Sequence, residues 1–119
     1  MFALLYTDGQ LRLRDIMKEC VQEKWIPLFV YRESDSDNTI LPVFNDQNIA
    51  KSFMKRNLPK EWSHGTIMLS EDDLNSIKEK GWTLQVFDFP RKIKDCVNIL
   101  MGLEIFELQE EPDLVTSRL

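Results

Sequence analysis

Glycine, histidine and cysteine are scarce in this chain, and each shortage removes a class of chemistry. Its 119 residues include four glycines, two cysteines and one histidine. The glycines at 9, 65, 81 and 102 are isolated, so no glycine-rich loop is available to cradle a phosphate in the manner of the standard nucleotide-binding signatures. One histidine and two separated cysteines give no zinc-ligand spacing, and no strained G-x-S-x-G turn exposes a nucleophilic serine. No cofactor or metal is expected. Apolar runs all fall short of the ~20 residues that a membrane-spanning helix needs. The apolar start, Met1 to Tyr6, lacks a basic flank and reaches Thr7-Asp8-Gly9 at once. It therefore reads as a first strand rather than a signal peptide, with the cytoplasm as the expected location. Positive charge is also short: 15 Lys and Arg against 20 Asp and Glu leave a net charge of −5. That balance disfavours general binding to nucleic acid or anionic lipid.

What remains is the composition of an ordinary globular domain. The length is close to the commonest size for one domain. Such a chain buries roughly two thirds of its unfolded surface, enough to fold without disulfides or metal. Cys20 and Cys96 fall on the apolar sides of helical stripes, where a free thiol acts as a small hydrophobe, and reduced thiols are the expectation for a cytosolic protein.

Periodicity sets the elements. Phe2–Tyr6 is an apolar run and a strand. Leu13, Ile16, Met17, Cys20 and Val21 recur at helical spacing, which predicts an amphipathic helix over 10–24. A hairpin over 8–14 competes with its start, because Asp8-Gly9 is a turn signal and Leu11-Arg12-Leu13-Arg14 alternates. Trp25 and Pro27 end that helix, and Pro27–Tyr31 is a strand. Glu33-Ser34-Asp35-Ser36-Asp37-Asn38 is a hairpin loop leading to a strand at 39–44. Asn45 caps a helix running to about Asn57. A strand at 66–69 follows. Ser70 with Asp73 forms a capping box for a helix that Gly81 closes, and a strand spans 82–87. Ile93, Cys96, Val97, Leu100 and Met101 predict one more helix, and 103–108 a last strand.

The reading is a single compact α+β domain over 1–109. About four amphipathic helices pack on a mixed sheet of five to six strands, and 110–119 form a polar C-terminal tail. The sheet is mixed because a helix of about ten residues is close to the shortest crossover between parallel strands.

Leu41-Pro-Val-Phe44 with its capped helix, then Gly65-Thr-Ile-Met-Leu-Ser70 and the helix to Gly81, resembles the SseB-like family of small bacterial α+β domains. It also resembles a neighbouring family of small bacterial domains of unknown function. The likeness covers residues 39–90 and rests on structural motifs, so no catalytic residues come with it. It implies a soluble bacterial protein engaged in protein–protein contacts.

Candidate functional residues are few. His64, in Trp62-Ser63-His64-Gly65, would serve a small enzyme if a carboxylate and a nucleophile joined it. On its own it reads as a loop histidine. The alternating acids Glu33, Asp35 and Asp37 resemble a calcium loop, but the glycine and glutamate that such a loop requires are missing and strands flank it. Lys51, Lys55, Arg56 and Lys60, with Phe53 and Trp62, would suit single-stranded nucleic acid. The simpler reading is a solvated helix face with Phe53 turned inward. Asp72 and Asp73 suit the positive end of a helix. Trp62, in a loop, has the character of an interface anchor. The sequence thus favours a non-catalytic, acidic protein-binding or regulatory module, of the kind that neutralises a basic partner by charge complementarity. Its candidate contact residues are Asp35, Asp37, Trp62, His64, Glu107 and Glu110. A homodimer is compatible with this reading.

Overall fold

The computed structural model describes residues 1–7, 12–33, 36–58, 64–90, 92–93, 96–104 and 113–115; for Val21, 96–104 and 113–115 it describes the backbone alone. The radius of gyration is 13.3 Å, against roughly 13.5 Å for one compact domain of this length. The described elements are β1 (Phe2–Tyr6), α1 (Leu13–Glu23), β2 (Trp25–Glu33), β3 (Ile40–Val43), α2 (Gln47–Asn57), β4 (His64–Met68), α3 (Glu71–Glu79), β5 (Thr83–Val86), β6 (Cys96–Glu104) and β7 (Asp113–Val115). The fold is α+β, as the periodicities imply, with three helices and seven strands among the described residues.

β2 organises the sheet. Residues 26–31 are buried, and their side chains alternate between two cores. Ile26, Leu28 and Val30 join Ala3, Leu5, Leu13, Cys20, Leu74 and Ile77, so α1 and α3 cover that face. Phe29 and Tyr31 join Leu4, Tyr6, Phe44, Ala50, Phe53 and Met54 under α2. On this second face, Phe53 meets Phe87 at 5.0 Å and Phe44 at 5.2 Å between ring centroids.

The edges of β2 are equally committed. β6 pairs antiparallel along it, from Trp25↔Glu104 to Glu33↔Cys96. Leu28 also pairs with Leu5, and Tyr31 with Ile40. A residue has only two edge-on neighbours, so β1 and β3 share the edge opposite β6 and the sheet forks there. One branch continues from β1 to β4 and β7, all antiparallel. The other runs from β3 to β5, which are parallel. The Phe2–Phe44 bridge holds the two branches together at the fork.

Local chemistry sets the ends. Lys24 takes φ 57°, a left-handed turn that stops α1 and lets β2 begin at Trp25. The first helix starts at Leu13, which removes the hairpin reading there; residues 8–11 lie outside the described set. α2 is capped by Asp46, whose side chain accepts from the Asn48 amide at 2.7 Å, and not by Asn45. Phe44 is still engaged in the bridge to Phe2, so the chain turns one residue later than expected. The capping box of α3 forms as read. The Asp73 amide donates to Ser70 Oγ at 3.1 Å and the Ser70 amide to Asp73 at 3.4 Å, and Gly81 at φ 87° follows the helix.

The C-terminal third departs from expectation. The stretch read as a helix over 93–101 enters β6 at Cys96, and Leu103–Glu104 complete that strand; residues 105–108 lie outside the described set. The apolar residues at 97, 99, 100, 101 and 103 fit either period, and pairing along β2 decides between them. Asp113–Val115, in the segment expected as a tail, pair with β4. No helix among the described residues is long and apolar enough to cross a membrane.

Two substitutions test this account. Ser70→Ala should cost about 1 kcal/mol, seen as a melting point lower by about 4 °C. Phe53→Ala, at a fully buried aromatic centre, should cost about 3–5 kcal/mol in urea unfolding.

Candidate functional site

The acidic loop is the best-defined candidate. It joins β2 to β3, and short-range bonds fix its described part. The Ser36 amide donates to the Glu33 carbonyl at 3.1 Å, the Asn38 amide to Ser36 Oγ at 3.0 Å, and Arg32 Nε to Thr39 Oγ1 at 3.2 Å. One long-range side-chain contact ties the loop to β5: Thr83 Oγ1 donates to Asn38 Oδ1 at 2.9 Å. The Thr83 amide also donates to the Thr39 carbonyl at 2.8 Å. Asp37 is therefore displayed, exposed, on a braced turn beside the start of β5. Asp35 lies outside the described residues, as do Trp62, Glu107 and Glu110.

β5 ends the path of paired strands. Val86 and Phe89, 40% and 62% exposed, are the exposed large hydrophobics of the described chain, and both belong to this edge and its exit turn. The acidic loop and this apolar pair thus mark the two ends of one short strand. Sequence reasoning found the strand and the loop but not their adjacency, which depends on the β3–β5 pairing. The only local signal at Phe89 is its setting between Asp88 and Pro90, typical of an exposed turn.

His64 lies elsewhere. It opens β4 opposite Tyr6 and pairs with Val115 on its other side. Leu5 pairs with Leu28 in an antiparallel register, so Tyr6 and His64 are level with Pro27, while the acidic loop follows Glu33, six residues along β2. At about 3.3 Å per residue the two candidates are at least roughly 20 Å apart, so they form no common site. His64 is not the loop residue the sequence suggested. It is 9% exposed, on the face it shares with Tyr6 and Thr66, and Gln47 Nε2 donates to Thr66 Oγ1 at 2.9 Å nearby. Its Nδ1 is buried and has no hydrogen-bond partner among the described residues. Burial holds its pKa below the ordinary 6.5.

The remaining candidates are structural. Phe53, fully buried, is not available to stack on a base beside exposed Lys55 and Arg56; Lys60 lies outside the described residues. Trp82 packs against the core, and so does Trp25, whose Nε1 donates to Glu23 at 3.2 Å. Asp73 is buried in its capping box. Cys20 is a buried free thiol. Its pKa is raised by burial, then by Glu19 and Glu23, which keeps it protonated and unreactive. No cluster of metal-binding side chains occurs among the described residues.

No family model, curated protein or solved structure matches the chain at a significant level.

His64 gives a signed prediction. The folded state keeps it neutral, whereas the unfolded chain protonates it near pH 6.5. Its contribution is complete above that value and is lost as pH falls towards the lowered folded pKa, with a slope of at most about 1.4 kcal/mol per pH unit. Urea unfolding from pH 7.5 down to 5 should show wild type losing more stability than His64→Gln. Parallel curves would show that burial does not perturb this histidine.

Proposed function

We propose that the protein is a non-catalytic binding module that engages a basic protein partner, as neutralising or immunity-type proteins do. The observation that carries this reading is the braced acidic turn. The Asn38 amide donates to Ser36 Oγ, and side-chain bonds from Arg32 to Thr39 and from Thr83 to Asn38 brace the turn on which Asp37 is displayed. A carboxylate on an ordered loop lowers the entropy lost on binding, and the chain's net charge of −5 speeds encounter with a cationic surface. The SseB-like resemblance supports the same reading, since it implies protein–protein contacts. Asp37 carries the proposed acidic surface; Asp35 adjoins it in sequence, Trp62, Glu107 and Glu110 lie outside the described residues, and β6 ends at Glu104 opposite Trp25, the end of β2 away from the loop.

Affinity capture from the native lysate tests this. The tagged protein should retain one stoichiometric partner at low salt and release it at high salt. Reversal of charge at Asp35 and Asp37 to lysine should abolish capture, while Lys55→Glu should not weaken it. Undiminished capture by the loop variant would remove the acidic turn from the interface.

A further inference from the structure

The edge of β5 offers more than exposed side chains. In a parallel pair, the N–H and C=O of one residue point to the same side, and successive residues alternate between edges. Thr83 and Phe87 donate their amides to the carbonyls of Thr39 and Val43 on β3, at 2.8 and 3.0 Å. Residues 83, 85 and 87 therefore face β3, and Leu84 and Val86 turn their backbone groups outward. Nothing in the strand protects that edge. Thr83–Val86 contains no lysine, no proline and no other charge, and these are the usual devices that prevent an edge from pairing. The first proline after the strand is Pro90, beyond its end.

We propose that the β5 edge receives an extended segment of the partner as an added strand, one that carries basic residues near Asp37 and an apolar residue near Val86 and Phe89. This rests on the binding-module reading above and names the form the partner takes. The outward groups of Leu84 and Val86 supply two donors and two acceptors, and Val86 with Phe89 supplies the apolar contact. Pockets and exposed side chains at alternate positions are how strand addition gains specificity. Charge selects the occupant. Glu33 and Asp37 are exposed at the head of the strand and Asp88 at its exit; of the exposed cations nearby, Arg32 is engaged with Thr39, Lys78 and Lys80 close α3 on one face of the sheet and Lys92 follows the exit turn, so the chain's net charge of −5 tips the balance. A second copy of this acidic chain would meet long-range repulsion; a basic segment would not.

The test uses the full chain and a short peptide of alternating lysine and valine, with a glutamate–valine peptide as control. Backbone amide NMR should show shifts at 36–39 and 83–89 with the lysine peptide, and at least about tenfold weaker binding of the glutamate peptide. Val86→Pro removes an outward N–H and replaces the exposed valine side chain, so it strikes both proposed contacts at once, and the extended Gln85 before it already suits proline. It should weaken the lysine peptide about tenfold while the rest of the spectrum is unchanged. If that variant loses its native spectrum, Val86→Lys and Phe89→Ser are judged by the same criterion. Absence of shifts along β5, equal binding of both peptides, or a sedimenting dimer whose contact maps to β5 would each overturn the proposal. Lysate capture separates the two readings. Loss in the loop variant with full retention in Val86→Pro would keep the acidic module and remove strand addition, and no capture at all would remove the module.

Discussion

Everything in this fold depends on one strand being enclosed on four sides. β2 buries Ile26, Leu28 and Val30 against α1 and α3, buries Phe29 and Tyr31 against α2, and gives both edges to other strands. A strand in this position must be apolar on both faces, and the run from Ile26 to Tyr31 is uninterrupted except for Pro27. It must also satisfy every backbone group by pairing, because water is excluded. That second demand draws residues 96–104 into the sheet as β6 despite a spacing that suits a helix. Nine residues of open edge beside a double-faced core would leave buried amides unpaired, and a helix at 93–101 would not satisfy them.

The fork follows from the same demand. β1 and β3 divide the second edge of β2, so the sheet has two arms, and each arm carries a different part of the candidate chemistry. The β1–β4–β7 arm places His64 between two neighbours and buries it. The β3–β5 arm ends at an edge and exposes Val86, Phe89 and the acidic turn. Exposed and buried polarity are thereby segregated by topology: the buried His64 sits in one arm, and the exposed Asp37 carboxylate stands on the other.

The sequence was informative where the deciding interactions are local. The box of Ser70 and Asp73, the stop at Gly81, and the apolar stripes of α1 and α2 each involve residues within a few positions, so their spacing carries the signal. It was silent where decisions are long-range. Val97 to Leu103 fit two periods, and only β2, about seventy residues earlier, chooses between them. The cap reading fell on Asn45 rather than Asp46 because the bridge from Phe44 to Phe2 cannot be seen locally. His64 followed a loop-like string, and its burial comes from β1 and β7, one at each end of the chain. The acidic loop itself was legible from composition, but its bracing by Thr83 was not.

That bracing is the step that links the fold to the proposed function. A loop of alternating acids and serines is flexible by composition, and its charges would be dispersed over many conformations. Binding to it would cost the ordering of every residue that the partner touches. The bond from Thr83 to Asn38 and the Thr83 amide bond to Thr39 remove part of that cost before any partner arrives. They do so with the first residue of the strand whose other edge is unpaired among the described residues. The residue that orders the carboxylate and the residue that begins the edge are the same, so charge and hydrogen-bonding capacity share one rigid frame. A partner held by both would be recognised by its own alignment of basic, apolar and backbone groups, a more selective demand than positive charge alone.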